Sequence, residues 1–395
     1  MKTQERETTE AVAASGLEGI EAARTAISDV DGERGRLTIA GHDVEDLAAG
    51  ASFEDVCLLL WDGRRPADAD HKRFRQALGR ARVRAYERLE GLGSSLQAAD
   101  GMDALRAAVS HLAAQGDERE DMVRVTAAAA VFAAAWCRVR AGRSPLAPDS
   151  ERGHAADYLR MATGAPDHAN GLEAYLVTAA EHGMNASTFA ARVVASTGSD
   201  LVSAIVAGIG ALKGPLHGGA PGLVLDMLDA IGEPERAAAW VEEELGAGRR
   251  LMGMGHRIYR VRDPRAAVLE RAVEALEREG VAQERLRLAR ATERAAQEAL
   301  AARHPERPLR TNVEFYTAVL LEAVGLPRAA FTPTFAVARV AGWCAHVAEQ
   351  RRVGKLIRPR ARYVGPRSAS HPDGQGDQES LTGAGSRRGC SPPCP

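Results

Sequence analysis

The stretch Leu251-Met-Gly-Met-Gly-His-Arg-Ile-Tyr-Arg-Val-Arg-Asp-Pro-Arg265 decides how the chain is read. It sets His256 between Gly255 and Arg257, adds Arg260, Arg262 and Arg265, and then turns into a helix. Asp263-Pro264 is a helix start: Asp accepts from free N–H groups, and Pro suits the first turn. Gly253 and Gly255 let backbone approach another group closely. A His flanked by Gly and followed by Arg suggests a proton donor beside an anion site. The bland alternative is an Arg-rich loop with a structural His.

Outward from that stretch, helical periodicity dominates. Ser52–Asp62 reads as a helix capped by Ser52, and Asp68–Leu89 as a charged amphipathic one. Ala104–Ala114, Asp121–Arg140, Leu159–Gly164 and Gly171–His182 follow. Ser187–Thr197 and Asp200–Leu212 are apolar all round, as core helices are. Leu223–Ile231, Pro234–Gly246, Asp263–Arg278, Gln283–Arg303 and Arg310–Gly325 complete the set, with a last helix opened by Thr332-Pro333 and Thr332 as its cap. The β signal is confined to residues 17–50, where Asp-Gly and Arg-Gly turns separate two brief strands. The charged helices after Asp263 have heptad-like spacing but are too short for a coiled coil.

Composition bounds the function. The chain has 395 residues, 45% hydrophobic and 26% charged, the balance of a soluble globular protein. A net charge of -2 offers no global basic field for nucleic acid, and no stacking-aromatic pattern accompanies Arg249–Arg265. Residues 1–16 lack the apolar core of a signal peptide, and the apolar run Ala127–Trp136 is too short to span a membrane. A cytoplasmic protein with no membrane partner is expected. Cys57, Cys137 and Cys344 lie in apolar helical contexts and read as buried reduced thiols. Cys390 and Cys394 have no nearby His or Cys to complete a metal site, so no metal is expected. After Gly365 apolar residues almost vanish, and disorder is expected over residues 367–395.

Five segments carry residues unusual for mere packing. They are Glu181-His182-Gly-Met-Asn-Ala-Ser187, Gly214-Pro-Leu-His217-Gly-Gly, Gly253-Met-Gly-His256-Arg with Asp263-Pro-Arg265, Thr311-Asn-Val-Glu314-Phe-Tyr, and Ala338-Arg339-Val-Ala-Gly-Trp343 with Leu356-Ile-Arg358-Pro-Arg. In this order, with these intervening helices, the chain resembles the citrate synthase family, including its 2-methylcitrate synthase members, from about Leu17 to Gly365.

The resemblance implies an all-α homodimer with a short N-terminal β segment and two domains closing over a cleft. Residues 17–218 and 328–366 would form the large helical domain and 219–327 the small one, between a flexible N-terminus (1–16) and the tail. It implies condensation of acetyl-CoA with oxaloacetate, with the acyl-CoA as substrate and no cofactor. His217 would hold the thioester carbonyl, Glu314 would take the α-proton, and His256 would protonate the alkoxide. His182, Arg265, Arg339 and Arg358 would hold oxaloacetate, Arg358 reaching in from the other subunit. Arg257, Arg260 and Arg262 would meet CoA phosphates. Propionyl-CoA, giving 2-methylcitrate, remains open, because one methylene in a pocket is worth only about 1–3 kcal/mol. The family usually has Asp where this chain has Glu314. A non-catalytic paralogue binding CoA or a dicarboxylate is therefore the third reading.

Overall fold

The computed structural model describes residues 16–361 and Tyr363, except Glu18, Gly219, His256, Arg257, Arg307, Pro308 and Arg362. The chain separates into two compact units, one running to Ile357 and one from Arg358. The few described residues of the second form neither helix nor strand. The expected tail and the Cys390–Cys394 pair lie outside the described residues.

The first unit opens with a three-stranded antiparallel sheet: β1 (Ser28–Asp31), β2 (Arg36–Ile39) and β3 (His42–Asp43). Two strands were expected. The third is only two residues long, below what alternation can reveal, and it pairs Thr38 with Asp43 and Ile39 with His42. Fifteen α-helices follow among the described residues. They are α1 (Val44–Gly50), α2 (Phe53–Asp62), α3 (Asp68–Tyr86), α4 (Gly101–Ser110) and α5 (Glu118–Arg140). Next come α6 (His154–Thr163), α7 (Ala169–Ala179), α8 (Ala186–Ser196), α9 (Leu201–Leu212) and α10 (Ala220–Ile231). The last are α11 (Ala237–Gly246), α12 (Pro264–Arg278), α13 (Gln283–Arg303), α14 (Val313–Ala323) and α15 (Phe331–Val353).

Local chemistry fixes most of the helix starts. Ser52 caps α2 in a full capping box with Asp55. Asp263 caps α12 with Pro264 in its first turn, as the sequence suggested. Two starts differ. α6 begins at His154, not Leu159, because a tertiary partner takes its first free donor: His154 N–H bonds the Glu54 carboxylate at 2.8 Å. α15 begins at Phe331, so Thr332 lies inside the helix and caps nothing. Its hydroxyl instead donates to the Gly218 carbonyl at 2.9 Å.

The core is built on α5 and α15. α5 is long and apolar enough to cross a membrane by length and composition, contrary to the expectation from its shorter apolar run, but it is mostly buried inside the protein. Its Ala127–Ala130 and Ala133–Ala135 are buried, and such small side chains let α3, α4, α6 and α15 pack close. Cys57, Cys137 and Cys344 are free buried thiols, as expected. α12 packs on α7 and α14 and not as a coiled coil, while α11 and α13 share a separate small core of Val241, Leu251, Ala296, Ala299 and Leu300.

One fully buried ion pair braces α3 against α6: Arg82 Nε donates to Asp157 at 2.8 Å. Removing one partner leaves an uncompensated buried charge. Asp157→Ala should therefore cost about 3–5 kcal/mol of stability by urea denaturation, and an unchanged midpoint would show that the pair is dispensable.

Candidate active site

The cleft is assembled from chain segments that meet through backbone contacts. The Gly253 carbonyl and the Gly255 N–H tie the Arg-rich loop to the start of α14: Asn312 N–H donates to Gly253 O at 2.9 Å, and Gly255 N–H to Arg310 O at 2.7 Å. Asn312 Nδ2 adds a bond to Gly255 O at 2.7 Å. Gly253 has φ +76°, and a Cβ there would lie 2.7 Å from Phe315 Cβ. Only glycine fits both demands. The β1–β2 turn presses on the same loop, with Arg260 N–H donating to Gly32 O at 2.9 Å. Gly218, next to His217, meets the Leu212 carbonyl so closely that a Cβ would overlap it.

These contacts bring together half of the sequence-predicted residues: His182, His217, Arg265, Glu314 and Arg339. Asp263 caps α12 by accepting from Arg265 N–H, pairs with the Arg265 guanidinium at 3.1 and 2.9 Å, and accepts from Val313 N–H at 3.3 Å. One carboxylate thus joins Arg265 to the first turn of α14, which carries Glu314. Arg265 lies 6.0 Å from the Tyr259 ring centroid, and Tyr259 Oη is hydrogen-bonded to His182 Nε2 at 3.0 Å. On the other side Arg339 stands 4.8 Å over the Phe335 ring, whose centroid is 6.4 Å from that of His217. His217 Nε2 is hydrogen-bonded to Ser187 Oγ at 2.9 Å, and the Trp343 indole N–H donates to the same oxygen at 3.1 Å.

Arg265, Arg339 and His182 are buried, while His217 and Glu314 are half-buried. Arg339 Nε donates to Ala179 O at 2.7 Å, but its buried Nη2 has no hydrogen-bond partner among the described residues. A buried donor left unmade is costly, so this guanidinium is presented to an anion. Among the described residues no carboxylate forms a salt bridge with it, so Arg339 is not an ordinary buried ion pair.

The field of the site pushes acid and base apart. Burial, helped by the Arg339 charge, takes the His217 imidazole down to about 4, so it is neutral near pH 7. The Glu314 side chain keeps some solvent exposure, yet its carboxyl sits among protein atoms. Burial raises it to about 7, Asp263 adds to the rise, and Arg265 and Arg339 oppose it. A carboxylate poised near neutrality is matched to general-base work. Burial also lowers Arg339 to about 10, with Arg265 as the repelling like charge and Glu181 as the main counter-charge.

Other expected residues fall elsewhere. Arg260 and Arg262 are exposed and line a 530 Å³ cavity with Arg294, Arg310, Glu270 and Glu293. Arg262 is ion-paired to Glu270. Arg358 is exposed and begins the second unit. His256 and Arg257 lie outside the described residues. Sequence reading missed Tyr259, Ser187 and Phe335 as contributors. Tyr259 and Ser187 stood within the quoted segments, but nothing in an isolated segment tells a tyrosine that buttresses a histidine from one that fills a core.

The family model for the citrate synthase C-terminal domain matches residues 16–360. The chain belongs to the citrate synthase family. It is 38% identical to a citrate synthase of Haloferax volcanii over 89% of this chain and 95% of that protein. It is 39% identical to a 2-methylcitrate synthase of Mycobacterium tuberculosis over 89% of this chain and 90% of that protein. The crystal structure of the Thermotoga maritima citrate synthase superposes with a TM-score of 0.79 at 35% identity, over 90% of this chain and 97% of that one. A Thermoplasma acidophilum citrate synthase in ternary complex with carboxymethyl coenzyme A and oxaloacetate gives a TM-score of 0.80 at 27% identity, over 90% of this chain and 97% of that one. The protein is accordingly an acyltransferase of the class that converts the acyl group to alkyl on transfer.

The raised Glu314 carboxyl has a consequence for stability. Its folded value of about 7 exceeds the ordinary 4.5, so between these the native state holds more protons than the unfolded chain. Stability from this group is present at the acid end of that window and is lost as pH rises through it. Wild type should lose stability relative to Glu314→Gln when urea midpoints are compared at about pH 5 and about pH 8. Parallel pH dependences would show that the carboxyl titrates normally.

Proposed function

We propose that this protein condenses acetyl-CoA with oxaloacetate to give citrate and CoA. The observation that carries the reading is geometric: two buried guanidiniums, with Arg265 joined through Asp263 to the first turn of α14 that carries Glu314 and with Arg339 Nη2 unpartnered among the described residues. Burial raises the Glu314 carboxyl to about 7 and keeps His217 neutral. A thioester α-proton is weakly acidic, and a carboxylate removes it only when the enolate is stabilised as it forms. Neutral His217, oriented by Ser187, donates to the thioester oxygen while Glu314 takes the proton. The enolate carbon attacks the oxaloacetate ketone carbon. His256, by its place in the motif, gives its proton to the resulting alkoxide, and water then cleaves the citryl thioester and releases the CoA thiol.

Arg265 and Arg339 supply the forks that a dicarboxylate accepts bidentately, with His182 beside them. Arg358 would complete this set from a second subunit of a homodimer. The solved Thermoplasma relative with carboxymethyl coenzyme A and oxaloacetate supports the substrate pair. Arg260 and Arg262, with Arg294 and Arg310 around one cavity, form a basic surface suited to CoA phosphates. Closure of residues 219–327 over the cleft would exclude water until the carbon–carbon bond is made.

Propionyl-CoA is the second reading, favoured by the similarity to a 2-methylcitrate synthase. Oxaloacetate-dependent thiol release, measured side by side with acetyl-CoA and propionyl-CoA, tests both. Faster release from acetyl-CoA is expected. Release from neither would leave a binding protein.

Glu314 in place of Asp moves the carboxylate by about one bond length, and a misplacement of about 1 Å can cost roughly 100-fold. We read the cleft as tuned to the longer side chain. Glu314→Asp should then lower turnover by up to about that factor, whereas a large gain would mark Glu314 as a defect.

A further inference from the structure

Behind the oxaloacetate residues lies a buried polar chain that the condensation itself does not use. Glu181, directly before His182, is completely buried. Its Oε1 accepts from Ser28 Oγ at 2.8 Å and from His346 Nε2 at 3.1 Å. The donor sense at His346 is fixed from its far side. Arg192 Nη1 lies 3.0 Å from His346 Nδ1, and a guanidinium can only donate, so the ring proton on Nε2 points at Glu181. Arg192 is itself held by Glu349 at 2.6 Å and Gln350 at 3.0 Å. Glu349 in turn accepts from the Ala26 N–H at 2.9 Å and the Thr25 hydroxyl at 3.2 Å.

Glu181 Oε2 is buried with no hydrogen-bond partner among the described residues, as is Arg339 Nη2. Gly342, one turn beyond Arg339 on α15, leaves room for that carboxylate, since a Cβ there would overlap Glu181 Oε2 and the Ala180 carbonyl. The neighbouring carbonyl of Ala179 holds Arg339 Nε at 2.7 Å. The segment running from Ala179 to His182 therefore carries one backbone acceptor and one carboxylate for Arg339, and then an oxaloacetate-side histidine.

We propose that Glu181 is a positioning residue for the dicarboxylate site, holding Arg339 aimed at the cleft, and that His346 and Ser28 act through it. The inference rests on the reading that Arg339 binds oxaloacetate. A free counter-charge and a positioning group predict opposite signs. Removing a nearby negative charge that only competes with the substrate would tighten anion binding. Removing a group that orients the guanidinium weakens it.

The test is the KM for oxaloacetate, the KM for acetyl-CoA and kcat, with calorimetric binding of oxaloacetate to the full chain. Glu181→Gln, which removes the charge that aims the guanidinium, should raise the oxaloacetate KM about tenfold, with a much smaller change in the acetyl-CoA KM. His346→Leu, which removes the donor, should act in the same direction, and His346→Gln, which keeps an N–H near the Nε2 position, should recover most of the loss. Ser28→Ala, at a half-buried strand position, gives a smaller rise and carries the test if Glu181→Gln fails to fold. An unchanged or lower oxaloacetate KM in these variants overturns the positioning role while wild type still binds oxaloacetate. No oxaloacetate binding by wild type overturns the functional reading and this inference together.

Discussion

Two guanidiniums buried within reach of each other are the constraint around which the cleft is built. Both are buried, and Arg339 feels Arg265 as a like charge. Burying charge is tolerated only where partners compensate it. The compensation is divided unevenly. Asp263 pairs with Arg265 through both oxygens. Arg339 has a carbonyl on Nε and the Glu181 counter-charge, but its Nη2 has no hydrogen-bond partner among the described residues. The positive field is thus only partly cancelled, and what remains is directed at the cleft. That leftover attraction is what a dianionic keto acid can satisfy.

The same field separates the two titrating groups. Arg339 helps to keep His217 neutral and at the same time favours the ionised form of Glu314. Burial acts on both, lowering the imidazole and raising the carboxyl. The result is a neutral imidazole and a carboxyl that ionises near neutrality, both influenced by Arg339. Divergence of this kind is what a donor and a base require. Neither side chain would behave this way on an exposed loop.

Rigid placement of these groups falls to backbone. Gly253, Gly218 and Gly32 sit where a Cβ would strike Phe315, the Leu212 carbonyl and the Ile258 carbonyl. The small N-terminal sheet has its turn against the Arg-rich loop, and its first strand supplies Ser28 to Glu181. A β segment that looks peripheral in the sequence therefore braces two separate walls of the site.

Much of this was legible from the chain alone, because it is local chemistry. Ser52 with Asp55 and Asp263 with Pro264 mark helix starts whose capping bonds span only two or three residues. The apolar periodicity of α5, α9 and α15 marks core helices, and the linked His, Arg and Gly motifs name the family and the candidate side chains. What the sequence left open depends on contacts between distant residues. The start of α6 at His154 needs Glu54, Thr332 is drawn from capping to Gly218, and the third strand exists only by pairing with β2. The charge states of His217 and Glu314 likewise follow from burial and from guanidiniums brought in by other helices. Spacing along a chain specifies which groups are available, but the water they lose and the charges they face are properties of the assembled fold.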